Sequence, residues 1–151
     1  MGDWNPSQYL KFKAEGIRRA RDLAAAVALD APERVLDAGC GPGNSTAVLT
    51  RRWPGAGLTG LDYSENMLEK ARAAMPGVSF IQGDMAGDLT GLGLFDVVYS
   101  NAALQWMADS GETAKKLFGL VKPGGALAVQ MPDSRPPAVR CGRLENGTAH
   151  R

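Results

Sequence analysis

The sequence predicts an α/β fold with a mostly parallel sheet and helices on both of its faces. Short apolar segments alternate with amphipathic stretches of helical period, and Pro–Gly pairs separate them. With 151 residues, of which 44% are hydrophobic, the chain is long enough for one core. Right-handed crossovers between such segments make successive strands parallel. The five predicted strands are residues 34–37, 58–62, 78–81, 95–100 and 126–130.

The first helix is predicted over about residues 7–29, because Leu10, Ile17 and Ala24 recur at helical spacing. Gly16 is expected to divide this helix into two pieces. Three further helices are predicted at about residues 45–52, 64–74 (with Ser64 as the N-cap) and 113–121.

Polar side chains stand at the carboxyl ends of the predicted strands. Asp37 and Asp62 end the first two, Asp84 follows the third and Asn101 follows the fourth. In a parallel sheet these ends meet at one edge, beyond which ligands bind. Three carboxylates and an amide converging there indicate a binding site rather than a core.

Between the first strand and its helix lies a glycine loop. Gly39, Gly41 and Gly43 have no Cβ, so the backbone turns sharply and a ligand can approach it closely. The helix that begins near Asn44 presents free N–H groups. An ordinary tight turn is the alternative interpretation, but Asp37 before the loop and Asp62 after it favour a ligand site.

The glycine spacing distinguishes two cofactors. A dinucleotide-binding loop has the pattern G-x-G-x-x-G, whereas residues 39–43 have G-x-G-x-G with Asp37 just ahead. That carboxylate would repel a pyrophosphate and attract an amino-bearing ligand. The segment resembles motif I of the S-adenosylmethionine-dependent methyltransferases, in which the glycine loop lies against the methionine and ribose part of the cofactor.

The resemblance implies a role for each residue at the sheet edge. Asp62 would accept hydrogen bonds from two ribose hydroxyls, or it merely caps the following helix. Asp84 would accept from the adenine amine with the Met85 N–H directed at a ring nitrogen, or it is a simple turn residue. Tyr63 or Met67 would lie against the adenine face, although Met67 also fits a core position.

Candidate substrate-binding residues lie around the same edge. Trp4 and Tyr9 precede or begin the first helix and form either a lid or simple packing. Trp106 is either a core residue or a wall of the substrate site. Asn101 and Ala102 follow the fourth strand, close to where a methyl group would leave, so Asn101 is a candidate for both cofactor and substrate.

A more specific resemblance extends from about Asp3 to Asp133. Its motifs resemble the trans-aconitate 2-methyltransferase family, and they are residues 3–6, 9–10, 12, 39–46, 52–54, 60–62, 101–106 and 127–133. The resemblance implies a Rossmann-like methyltransferase fold and methyl transfer to a carboxylate of trans-aconitate or a related small acid. An ionised carboxylate is already nucleophilic, so no acid–base catalytic residue is expected. Methylation of another small molecule, and a cofactor-binding remnant without activity, are the alternatives; a nicotinamide dehydrogenase is the weakest rival.

The chain departs from this family in two places. It has Gly16-Ile17-Arg18-Arg19 where the family usually has Arg-x-Arg-Pro, so one expected cation is absent. Arg18 is the candidate cation for the acidic substrate, with a solvated helix arginine as the alternative. The family resemblance also stops at Asp133, whereas family members continue well beyond it.

We therefore predict a methyltransferase domain at residues 1–131, with an N-terminal helical lid at about residues 1–30, and an irregular or disordered tail at residues 132–151. A truncated or frame-shifted gene is our hypothesis for the tail. The sheet would then lack its last strands and expose the fifth strand as an apolar edge.

Composition excludes several other classes. A net charge of +1 gives no argument for nucleic acid or an anionic membrane, and no apolar run reaches the roughly 20 residues of a membrane span. The N-terminal residues lack the layout of a signal peptide, so a cytoplasmic protein is expected. Cys40, Cys141 and a single histidine, His150, predict neither a disulfide framework nor a metal site.

Overall fold

The fold is an α/β sandwich around one six-stranded sheet, seen in a computed structural model that describes residues 6–131 and 138–141. The strands are β1 Arg34–Ala38, β2 Gly57–Asp62, β3 Ser79–Gln82, β4 Phe95–Asn101, β5 Val121–Gln130 and β6 Ala138–Cys141. Their order is β3-β2-β1-β4-β5-β6, with the first five parallel and β6 antiparallel to β5. The five predicted parallel strands are confirmed.

Four helices connect the strands, and short 3-10 turns lie at Thr90–Leu92 and Leu104–Trp106. The helices are α1 Pro6–Ala26, α2 Asn44–Arg52, α3 Glu65–Ala74 and α4 Ser110–Phe118. Ser64 caps α3 as predicted, accepting a hydrogen bond from the Met67 N–H at 3.4 Å. The predicted break at Gly16 is wrong, because α1 continues through this residue; a glycine costs only about 1 kcal/mol relative to alanine in a helix.

Each face of the sheet has its own apolar core. On one face, Leu23 of α1 and Val27, which directly follows this helix, pack with Leu49 and Trp53 around Tyr99 of β4. The Tyr99 hydroxyl donates a 2.7 Å hydrogen bond to the Ala20 carbonyl, which fixes α1 against the sheet. The opposite face contains Leu36, Phe95, Val98, Leu104 and Leu117. Both faces of the central strands are buried, as a parallel sheet requires.

The segment before β5 differs from the prediction. The helix ends at Phe118 rather than at residue 121, and β5 begins at Val121 and includes the Pro–Gly–Gly sequence. A register irregularity between Phe95 and Val97 accommodates these residues. A Cβ at Gly125 would collide with the Asp96 carbonyl oxygen, so glycine is required where the two backbones approach.

The far edge of the sheet is formed by β6 rather than by β5. Residues 138–141 form β6, in which Arg140 pairs with Leu127 and Val139 with Ala128. The expectation of a tail without strand structure, and of β5 as an exposed edge, is therefore wrong for these residues. Four residues are too few for an alternating pattern to be seen in the sequence. Residues 132–137 and 142–151 lie outside the described part of the chain, and the domain boundary at 131 stays a prediction.

Candidate functional site

Two neighbouring cavities lie at the carboxyl edge of the sheet. The larger cavity, of about 670 Å³, lies between the glycine loop, the turn after β3 and the loop after β4. The second, which we call the α1 cavity, has a volume of about 290 Å³ and lies between the glycine loop and α1. Gly39, Gly41 and Pro42 line both cavities. The glycine loop is thus the wall that the two cavities share.

The glycine loop has a conformation that other residues rarely adopt. Gly39 and Gly43 have φ values of +77° and +99°, in the left-handed region. A Cβ on Gly39 would collide with the Cβ of Ala103, and one on Gly43 would lie 2.5 Å from the Met75 side chain. The N–H groups of Gly39 and Cys40 donate to the Leu61 carbonyl, which holds the loop against β2. Glycine at both positions therefore allows the loop to adopt this conformation.

Asp37 is wholly buried beneath the glycine loop and lines neither cavity. Its Oδ2 accepts hydrogen bonds from Ser45 Oγ at 2.8 Å and Thr46 Oγ1 at 2.7 Å. Its Oδ1 has no partner among the described residues. Burial raises the pKa of this carboxyl to about 6, against the lowering effect of the two hydroxyls. A buried acceptor without a donor is a feature that a ligand can satisfy.

Asp62 at the end of β2, Tyr63 directly after it and Met67 in α3 line the larger cavity. Asp62 Oδ1 accepts from the Gly41 N–H at 3.1 Å and its Oδ2 from the Ser64 N–H at 3.0 Å. Each carboxylate oxygen has a second lone pair, so Asp62 can bind a pair of hydroxyls while it holds both backbone groups. Tyr63 is 75% exposed and lies at the rim.

The turn after β3 forms another wall. Asp84 Oδ1 accepts from the Ala86 N–H at 2.9 Å, and Met85 is buried against the larger cavity. Lys116 of α4 reaches this turn from outside and donates to the carbonyls of Ala86 and Gly87. Sequence reasoning missed Lys116, since nothing in the linear pattern shows that α4 approaches the turn.

The loop after β4 has one strained residue. Ala102 has φ +58°, which is uncommon without a glycine. Its N–H donates to the Gln130 carbonyl at 2.8 Å, and its own carbonyl accepts from Gln105 Nε2 at 2.9 Å. Trp106, which follows, is 79% exposed and lines the larger cavity. The interpretation of Trp106 as a core residue is therefore wrong, and it stands at the cavity rim.

The α1 cavity contains Lys13, Gly16 and Ile17 of α1, together with Asn101 at the end of β4. The Oδ1 of Asn101 is buried and has no partner among the described residues. In the neighbouring register position, Gln130 is 8% exposed and its Oε1 is likewise unpartnered within the described ranges. Sequence reasoning did not single out Gln130.

The structure places the predicted substrate-binding cation, Arg18, away from the site, and the side chains of the predicted aromatic lid residues lie outside its described part. Arg18 is exposed and lines neither cavity, because it lies on another face of α1. Lys13 is the charged side chain that α1 brings to the α1 cavity. The spacing of Lys13, Gly16, Ile17 and Ala20 (i, i+3, i+4, i+7) was the available signal for that face. Trp4 and the side chain of Tyr9 lie outside the described part of the structure.

Asn44, one of the residues predicted to bind the cofactor, lies at the start of α2 and lines the α1 cavity. Within residues 6–131 and 138–141, no group of three His, Cys, Asp or Glu side chains is placed to hold a metal ion. The same ranges contain no helix that is both long and apolar enough to span a bilayer.

Comparison with known proteins shows the family. Residues 35–125 match the methyltransferase domain family. The chain belongs to this family. It is 51% identical over 134 residues to a trans-aconitate 2-methyltransferase of Rhodopseudomonas palustris strain BisB18, which covers 89% of this chain and 52% of that protein. The trans-aconitate 2-methyltransferase of Escherichia coli strain K12 / DH10B is 48% identical over 89% of this chain and 53% of its own length. The chain spans about half the length of these curated relatives.

Solved structures confirm the predicted Rossmann-like methyltransferase fold. An S-adenosylmethionine-dependent methyltransferase from Mesorhizobium loti has 30% sequence identity and a TM-score of 0.62, covering 73% of this chain and 51% of that one. The structure of a complex between the Haloferax volcanii Trm112 methyltransferase activator and a putative methyltransferase has 25% sequence identity and a TM-score of 0.68. The match covers 82% of this chain and 56% of that one. The plantazolicin methyltransferase BpumL, solved with SAH, has a TM-score of 0.68 at 19% identity, which supports the fold alone.

Proposed function

We propose that this domain binds S-adenosylmethionine across the two cavities and transfers its methyl group to a carboxylate of trans-aconitate or a related small acid. The observation that supports this most strongly is the shared glycine wall, with Asp62 on one side and beneath it Asp37, whose Oδ1 has no partner among the described residues. A ligand with a nucleoside at one end and an amino acid at the other matches this pair of cavities. The acceptor is inferred from the names of the relatives.

The larger cavity suits the nucleoside end. Asp62 retains acceptor capacity for two adjacent ribose hydroxyls beyond its bonds to Gly41 and Ser64. Met85 and Ala103 offer apolar surface for the base. Asp84 lies in the same wall, with one carboxylate oxygen taken up by the Ala86 N–H. Its other oxygen is suited to the exocyclic amine of adenine.

The α1 cavity suits the amino-acid end. The buried Asp37 carboxylate is ionised above a pH of about 6, and its Oδ1 lacks a donor among the described residues. An ammonium group nearby would compensate the cost of that buried charge. A pyrophosphate in the same place would increase it. This electrostatic argument favours S-adenosylmethionine over a dinucleotide.

The reaction requires little from the protein beyond placement. When bound, S-adenosylmethionine supplies an electrophilic methyl group. The acceptor carboxylate is ionised at neutral pH, so no residue has to remove a proton. Asn101, at the end of β4 beside the glycine loop, and Trp106, at the rim, are positioned to orient the acceptor and exclude water.

Two alternatives keep the cofactor. One is methylation of a different small molecule, and the other is cofactor binding without turnover, since the chain spans about half of its curated relatives. Incubation with S-adenosylmethionine and a panel of small acids, followed by mass spectrometry, distinguishes them. A monomethyl ester of trans-aconitate supports the proposal. Methylation of another acceptor alone refutes the assigned substrate, and binding of SAH without any product favours the remnant.

A further inference from the structure

We propose that Lys13 binds a carboxylate group in the α1 cavity. The inference rests on the proposed function, because it assigns a partner to one end of a ligand in that site. Lys13 is the single charged side chain among the described residues that line the α1 cavity. An anionic group beside Lys13 gains a favourable electrostatic interaction, whereas one close to the buried Asp37 carboxylate does not.

Lys13 and Gly16 lie on the face of α1 that borders the α1 cavity. Residues three apart on a helix lie on the same face, and Lys13 and Gly16 both line the α1 cavity. A Cβ built on Gly16 meets no atom within 4 Å. Position 16 is therefore open space beside the lysine. A cationic side chain placed at residue 16 would reach the same cavity from one helical turn further along.

The opposite wall of the cavity also favours an anion. Asn44 and Ser45, in the first turn of α2, line it, and the N-cap of that helix is Gly43, which has no side chain to satisfy the first N–H groups. The Oδ1 of Asn101 is buried and unpartnered among the described residues; as an acceptor it suits a donor such as an ammonium group, not the anion.

Asp37 lies below this cavity and carries the opposite charge. Its unpartnered oxygen suits a cation, whereas Lys13 suits an anion, so the two residues together match a ligand with both charges close to one another. Two groups have the required carboxylate: the amino-acid end of the cofactor and the acidic acceptor. The chemistry is the same for both, and binding measurements distinguish them.

The experiment compares S-adenosylhomocysteine with 5′-methylthioadenosine, a nucleoside thioether without the amino-acid end. Calorimetric titrations use the wild-type chain, Lys13→Ala, the double variant Lys13→Ala/Gly16→Arg, and Lys11→Ala as a matched exposed-lysine control. We expect Lys13→Ala to weaken S-adenosylhomocysteine binding by about three- to tenfold, the range for a partly solvated ion pair. The affinity for 5′-methylthioadenosine should not change. In the double variant, Gly16→Arg should restore the affinity for S-adenosylhomocysteine.

A second titration identifies the acceptor as the source of the carboxylate. If Lys13→Ala leaves S-adenosylhomocysteine binding intact but weakens trans-aconitate binding to the saturated protein, Lys13 binds the acceptor. Equal affinities of wild type and Lys13→Ala for both ligands overturn the proposal, as does a double variant that fails to recover the lost binding. A cooperatively melting wild type that binds neither nucleoside refutes the proposed function itself, which is a separate result.

Discussion

The Asp37 carboxylate and the Thr46 hydroxyl are joined by a 2.7 Å hydrogen bond, although both side chains are wholly buried. The bond connects the end of β1 to the first turn of α2 and so fixes the two ends of the glycine loop. The charge that Asp37 carries above a pH of about 6 is unfavourable for folding. A cationic ligand would compensate it, so we expect Asp37 to oppose stability and favour binding.

Asp37→Asn should therefore make the protein more stable at pH 8. A raised carboxyl pKa means that the folded state holds its proton more tightly than the unfolded state. The stability contributed by protonated Asp37 is then present below about pH 4 and is lost as the pH rises through about 6. The full loss in the free energy of unfolding is on the order of 3 kcal/mol.

The Asn side chain of this variant keeps an acceptor for Ser45 and Thr46. Urea unfolding at pH 8 should therefore show a higher free energy of unfolding than for wild type, and the difference should shrink toward pH 4.5. A less stable variant at pH 8 contradicts this account.

The affinity for S-adenosylhomocysteine should depend on pH through the same residue. Below a pH of about 6, protonation of Asp37 removes the charge that attracts the ammonium group. The affinity should fall by up to about tenfold per pH unit there. Titrations from pH 5 to 8 test this in wild type and in Asp37→Asn, whose weaker binding should be independent of pH. Parallel profiles for the two proteins would assign the pH dependence to another group.

Lys116→Met should weaken nucleoside binding without a large loss of stability. Lys116 is exposed, and it holds the turn that carries Asp84 and Met85 through the carbonyls of Ala86 and Gly87. We expect a loss of about three- to tenfold in S-adenosylhomocysteine affinity, and retention of most of it in Lys116→Arg. Calorimetry measures the affinity, and thermal melting checks the fold. An unchanged affinity in the Met variant would show that the turn holds its shape without Lys116.

Val139→Asp should loosen β6 from the sheet. Val139 is partly buried and packs against the core on the face of the sheet that α1 covers. In the sheet it pairs with Ala128. A charge there should lower the free energy of unfolding by about 1–2 kcal/mol and expose the edge of β5 to association. Light scattering across protein concentrations measures the association, with Val139→Thr as the control of similar shape. A variant that associates no more than the wild type and is equally stable would mean that β6 does not protect the edge.

The parallel strands and the edge of the sheet could be predicted because the strands are short apolar segments with polar residues at or next to their carboxyl ends. Asp62 and Asp84 reach the larger cavity as direct consequences of that topology. The burial of Asp37 could not be predicted, because it depends on how α2 folds back over β1. Which of Lys13 and Arg18 faces the α1 cavity depends on the rotation of α1 about its axis. The hydrogen bond from Tyr99 to Ala20 helps to fix that rotation.

The central claim is that Asp62 and the glycine loop bind S-adenosylmethionine, and one calorimetric titration tests it most directly. S-Adenosylhomocysteine is titrated into wild type, Asp62→Ala and Asp88→Ala, the last being an exposed aspartate outside both cavities. We predict one-site binding to wild type and Asp88→Ala, and a loss of about tenfold or more in Asp62→Ala, because hydroxyl groups lose a charged acceptor. A folded wild-type chain that gives no binding signal, or equal affinity in folded Asp62→Ala, would contradict the account.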